Sequence, residues 1–228
     1  MQQVYETSDL LTKDAAEQAV RLIAELAKSK SKVRVLLTGG TLGIQVLADF
    51  AALTQDLKQV EFYFGDERFV PLDHADRNEA QGLAVWPGLE KSLIRFPDST
   101  FPLAEAEREF NTRLESAFGP IDSSDSIFDL VLLGMGPDGH IASLFPGVLH
   151  KRNWIVSDAN SPKPPAERLS FSYQALNRAD RVWFLVSGSQ KAQAVKCALS
   201  ENCDLPIAKV RGRLETKWFM DQELKRAL

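Results

Sequence analysis

A chain of 228 residues is long for one small domain and short for two, and its 44% apolar and 25% charged residues fit a globular protein with a sizeable core rather than a disordered one. A net charge of −4 excludes the chain-wide basic field that neutralises nucleic-acid backbones, so any phosphate bound here must be met locally. No stretch approaches the roughly 18 consecutive apolar residues of a membrane span, and no charged segment followed by an apolar run opens the chain.

The expectation is one α/β domain over residues 1–228, soluble and cytoplasmic. Apolar positions at Ala15, Ala16, Ala19, Val20, Ile23, Leu26 and Ala27 recur at helical spacing and predict an amphipathic helix over 12–29. The period then changes. Val33 to Thr38 is a β-branched and leucine run that ends in Gly39-Gly40, as a buried strand does, and Ile44, Val46, Leu47, Phe50 and Ala51 place a helix over 41–53. The alternation returns with a strand at 60–64 before Gly65 and helices near 77–85 and 103–118. A strand at 128–133 follows. Residues 168–173 and 181–186 read as strands, 189–199 as a helix, and a terminal helix follows Asp221. Strands alternating with helices predict a mostly parallel sheet with helices on both faces, with room for a small extra lobe. Ligands of such sheets gather beyond the carboxyl ends of the strands.

The loops carry the chemistry. Gly134-Met135-Gly136-Pro137-Asp138-Gly139-His140 holds a formal GxGxxG, with Asp158 about twenty positions beyond its last glycine. A dinucleotide fingerprint requires a helix directly after the glycines to meet the pyrophosphate, yet Pro146-Gly147 leaves barely one or two turns, and Pro137 removes an amide from the loop. The alternative is a sharp turn that presents Asp138 and His140. An imidazole with an ordinary pKa near 6.5 suits proton transfer at neutrality, and the acid two positions away either fixes its tautomer or caps the next turn.

Other loops leave the same predicted sheet edge. Gly65-Asp66-Glu67-Arg68 follows one strand, and Thr38-Gly39-Gly40-Thr41 offers amides at a helix start that can hold a phosphate. Arg168 at the start of one strand and Lys191 near the start of a helix complete a candidate phosphate site. Ser161-Pro162-Lys163-Pro164-Pro165 is the best candidate for a segment lying over a site. Cys197 and Cys203, without CxxC spacing or a histidine cluster, are expected to be structural free thiols.

These stretches resemble the 6-phosphogluconolactonases: TGGTLG at 38–43, FGDERFVP at 64–71, HADRNEAQ at 74–81, LLGMGPDGHIASLFPG at 132–147, PPAERLSF at 164–171 and SGSQKA at 187–192. The resemblance implies hydrolysis of 6-phospho-D-glucono-1,5-lactone without metal or cofactor, on an α/β fold shared with glucosamine-6-phosphate deaminases. It implies His140 as general base, with Asp66 and Asp138 orienting groups, and Gly39, Gly40, Thr41, Arg68, Arg168 and Lys191 holding phosphate and substrate. The implied partner is a small sugar-phosphate lactone, with no nucleic acid and no membrane, and a monomer or weak homo-oligomer.

Three departures stand out. Gly40-Thr41-Leu42-Gly43 replaces the family's GGSTP, shifting phosphate binding toward Arg168 and Lys191. Arg77 replaces a frequent serine, adding a charge expected to contact substrate or lie on the surface. Leu205-Pro206-Ile207-Ala208 interrupts a usual Pro-Ala pair, read as a packing change. Two rival readings remain: a deaminase or isomerase, whose DEY run is absent at Asp66-Glu67-Arg68, and a non-catalytic sugar-phosphate sensor.

Overall fold

The computed structural model describes residues 1–53, 59–149 and 151–228. In chain order they form β1 (Gln2–Tyr5), α1 (Ser8–Leu26), β2 (Val33–Leu37), α2 (Gly40–Leu53), β3 (Val60–Phe64), β4 (Asp66–Arg68), α3 (Asn78–Val85), α4 (Leu103–Phe118) and β5 (Phe128–Gly134). There follow β6 (Ile155–Asp158), β7 (Arg168–Phe171), α5 (Tyr173–Leu176), β8 (Ala179–Val186), α6 (Ala192–Ala198), β9 (Glu215–Asp221) and α7 (Gln222–Ala227). The helix predicted from residue 12 begins a turn earlier, because the Thr7 side chain accepts the Leu10 amide and caps the helix there.

Six strands make a parallel sheet in the order β1-β9-β8-β5-β2-β3. Phe128 to Leu133 of β5 are buried at every position, as the centre of a parallel sheet covered on both faces must be. The strand order reverses between β2 and β5: β3 lies on one side of β2, while β5, β8 and β9 extend on the other. The loops leaving the carboxyl ends of β2 and β5 therefore diverge and open a crevice between them.

The strand expected at 168–173 ends at Phe171, where α5 takes over, and it stands outside this sheet, in the small extra lobe for which the sequence reading left room. It is the middle of a three-stranded antiparallel sheet, β4-β7-β6. No crossover helix separates β6 from β7, and a short connection can return the chain only in the antiparallel sense. This small sheet is held to the large one by rings. Phe171 of β7 lies 6.1 Å from Tyr63, 5.4 Å from Phe128 and 5.8 Å from Phe96, all edge-on.

Two further expectations are corrected. Residues 189–199 split into a 3-10 turn, Ser189–Lys191, and the shorter α6. Cys197 and Cys203 are not free: they form a disulfide, because the chain turns back after α6 and brings their Cα atoms to 5.2 Å. Among the described residues, no helix is long and apolar enough to cross a membrane.

Candidate active site

The crevice at the strand reversal is a cleft of about 340 Å³. Its walls come from the loop after β2, the start of β4, the first residue of α3, the loop after β5, the segment before β7 and the 3-10 turn after β8. Of the residues singled out from sequence, Gly39, Gly40, Thr41, Asp66, Arg68, His140 and Lys191 line it, while Asp138 reaches it through His140.

The glycine loop folds on itself. The Gly136 amide donates to the His140 carbonyl and the Gly139 amide to that of Gly136, both at 3.0 Å, and Gly139 takes a φ of +80°. The His140 ring packs so closely over Gly136 that a Cβ there would lie 2.0 Å from the ring. No helix follows in 141–149, and Asp158 stands in the small sheet opposite Arg168, so the dinucleotide reading has neither of its anchors. Just beyond the loop, Ala142 lines the cleft with a φ of +47°, a left-handed conformation that alanine adopts at a cost.

Asp138 Oδ1 meets His140 Nδ1 at 2.5 Å, and the Phe145 ring covers the imidazole at 4.8 Å. Burial lowers the His140 pKa below the ordinary value, against the hydrogen bond and charge of Asp138 that raise it. For Asp138 burial acts upward, but the hydrogen bond and charge of His140 outweigh it and hold the carboxyl below its usual range. A carboxylate on Nδ1 keeps the proton on that nitrogen and leaves Nε2 with a free lone pair. Burial thus favours the neutral ring over the imidazolium.

Asp66 is fixed from two sides. Ser143 Oγ donates to its Oδ2 at 2.5 Å, while Asn78 Nδ2 donates to its carbonyl at 2.9 Å and its Oδ1 at 3.4 Å. Asn78 and Ser143 were not singled out from sequence, although both stand inside quoted motifs; only contact with Asp66 distinguishes them from neighbouring polar residues. The Asn78 Oδ1 atom is buried without a partner on the cleft wall, and Gly39 leaves the space it needs, since a Cβ there would sit 2.0 Å away.

Behind this wall lies a buried charge network. Glu67 accepts the amides of Arg68, Asn78 and Glu79 at 2.8, 2.7 and 2.9 Å, and so caps α3 from β4. Arg77, fully buried, is 2.8 Å from Glu79 and 3.7 Å from Glu67, and it donates to the carbonyls of Val70, Phe96 and Pro97. Arg77 therefore neither contacts substrate nor lies on the surface. Burial, then the charge of Glu79, push Glu67 up to about 8, with Arg77 opposing; burial also raises Glu79.

Three cations face the cleft. Arg68 Nη1 donates to the Asp76 carbonyl while its buried Nε has no partner. Burial lowers the Lys191 pKa. The third cation, Lys163, belongs to the proline-rich segment but was not itself singled out. Arg168 is not among the residues lining the cleft; its guanidinium binds backbone carbonyls at 163–165 instead. Among the described residues, no group of three or more His, Cys, Asp or Glu side chains is gathered as a metal site.

A parallel α/β sheet with a glycine-rich helix start, three cations and a carboxylate-held histidine gathered at its strand reversal places its cleft where such sheets bind small ligands. The chain belongs to the family described as glucosamine-6-phosphate isomerases/6-phosphogluconolactonase, which it matches over residues 6–218. It is 32% identical over 238 residues to the 6-phosphogluconolactonase of Mycobacterium leprae (strain TN), covering 97% of this chain and 95% of that one. The crystal structure of 6-phosphogluconolactonase from Thermotoga maritima superposes with a TM-score of 0.83 at 28% identity, over 97% of this chain and all of the other. A monomeric glucosamine-6-phosphate deaminase shares the fold, with a TM-score of 0.78 at 19% identity over 100% and 99% of the two chains.

Proposed function

We propose that this chain hydrolyses 6-phospho-D-glucono-1,5-lactone to 6-phosphogluconate, the second step of the oxidative pentose phosphate pathway, with His140 as the general base. The observation that carries this reading is the Asp138–His140 pair in a cleft ringed by Arg68, Lys163 and Lys191. A lactone carbonyl is already electrophilic, so catalysis needs a placed water, a proton acceptor and stabilisation of the oxyanion.

In this reading His140 Nε2 takes a proton from water as its oxygen bonds to the lactone carbon and the carbonyl electron pair moves onto oxygen. On collapse the bond to the ring oxygen breaks, and the imidazolium returns the proton to that oxygen. The new carboxylic acid releases its proton to solvent. Asp66, pinned by Ser143 and Asn78, orients groups beside the base, and Gly39, Gly40, Thr41, Arg68 and Lys191 take the phosphate, which supplies orientation from a distance. In this reading the chain works as a single α/β unit in the cytoplasm, as a monomer or weak homo-oligomer.

The test generates the lactone in situ from glucose 6-phosphate and follows its opening with 6-phosphogluconate dehydrogenase, against the uncatalysed control. Acceleration by the protein, without ammonia release from glucosamine 6-phosphate, is expected. No acceleration by the folded protein would overturn the reading.

A further inference from the structure

The segment leading into β7 contains Pro162, Pro164 and Pro165, which have no amide hydrogens, so its own backbone has few donors with which to hold its shape. Two bonds fasten its base: the Ser161 amide donates to the Ala166 carbonyl at 3.0 Å, and the Lys163 amide to Ser161 Oγ at 3.4 Å. The rest comes from Arg168. Its Nε donates to the Pro165 carbonyl at 2.8 Å, and its Nη2 to the carbonyls of Lys163 and Pro164, each at 3.1 Å. Arg168 is itself 5% exposed and anchored in the small sheet, so three successive carbonyls are gripped by one rigid fork.

What this grip holds out over the cleft is Lys163. Lys163 lines the same cleft as Asp66 and His140 and is exposed there. The Lys163 charge is felt at His140, where it opposes protonation, and at Lys191 deeper in the cleft. Because Lys163 and His140 line one cleft, a water and a carbonyl held at the base lie within the field of this cation.

Resting on the lactonase reading, we infer that Lys163 contacts the substrate and stabilises the oxyanion formed at the lactone carbonyl, and that Arg168 is a positioning residue acting through it. The phosphate is left to Arg68, Lys191 and the amides after β2. Arg168 then affects turnover without touching the substrate, because losing its fork frees the carbonyls that place Lys163.

The experiment compares kcat and KM of the wild type with Lys163→Met, Lys163→Arg and Arg168→Gln, and follows the His140 imidazole by NMR titration in each. Lys163→Met keeps the apolar stem of an exposed side chain and is expected to fold. Its kcat should fall on the order of 10- to 10²-fold, with KM changed less than about threefold, and Lys163→Arg should recover most of the loss. Arg168→Gln should reproduce the fall in kcat. In both neutral variants the His140 pKa should rise, a change that a purely structural role for the loop would not produce. The inference is overturned if kcat of Lys163→Met stays within about twofold of wild type, if KM alone rises, or if Arg168→Gln loses turnover while Lys163→Met keeps it. An inactive wild type would instead overturn the lactonase reading, and this role with it, before any variant was compared.

Discussion

Thr38 Oγ1 accepts the amide of Gly134 at 3.1 Å, joining the ends of β2 and β5 across the point where the strand order reverses. The glycine loop after β2 and the histidine loop after β5 are thus set against each other by one buried hydroxyl. Thr38→Val keeps the shape and removes the acceptor. The unsatisfied amide should cost about 1–3 kcal/mol in denaturant unfolding, and KM for the lactone should rise several-fold as the two loops drift. Unchanged stability and KM would mean that packing alone sets the distance between the loops.

His140→Ala should lower kcat by roughly 10²–10⁴-fold, the usual contribution of a positioned general base. Because the cations and amides remain, the dissociation constant for 6-phosphogluconate, measured by calorimetry, should stay within about threefold. Retained turnover would remove His140 from the reaction.

Proton transfer needs the neutral imidazole, and burial holds its pKa below the ordinary value of about 6.5. The acidic limb of kcat/KM should therefore lie below pH ~6.5, with a plateau above it. Asp138→Asn removes the hydrogen bond and charge that raise the pKa, so the limb should move further toward acid. The plateau should also drop, because the Nδ1 proton loses its anionic acceptor. A pH–rate profile that keeps its midpoint in this variant would separate Asp138 from the titration.

Arg77→Ser restores the residue often found in the family pattern but leaves Glu67 and Glu79 buried without their cation. Removing one partner of such a network costs about 3–5 kcal/mol, measurable by urea unfolding, and adding Glu79→Gln should recover part of it. The sign with pH follows from the raised carboxyl pKa values. A carboxyl whose folded pKa exceeds its unfolded value favours folding below the unfolded value, and the advantage is lost as pH rises through the folded one. The deficit should be larger near pH 8 than near pH 5, and a pH-independent deficit would contradict this account.

Much of the framework is legible in the chain because periodicity reports burial. Val60–Phe64 and Leu103–Phe118 fall where the apolar spacing puts them. The edge strand β1, with half of its positions exposed, and β9, interrupted by Thr216 and Lys217, carry weaker patterns and escape it. The site divides along a similar line. His140 and Gly39 stand in loops, and Asp66 and Gly40 open β4 and α2, in stretches whose composition betrays them, whereas the burial of Arg77 and the fork of Arg168 depend on which elements meet in space. Arg168 opens a strand in both readings, but only the antiparallel pairing of β7 with β6 and β4 turns it toward the carbonyls of its own loop. The cysteine pair was missed for the same reason, since its closure depends on the path after α6.

The pairing of β1 with β9 also has a consequence for how the molecule is made. Gln2 stands beside Trp218, so β1 finds its partner only after synthesis has run on as far as β9. Until then β1 is an unpaired edge in a nascent chain, able to capture other strands. A tag joined to Met1, whose amino group meets the Thr216 carbonyl, would burden that late docking step more than one joined beyond α7.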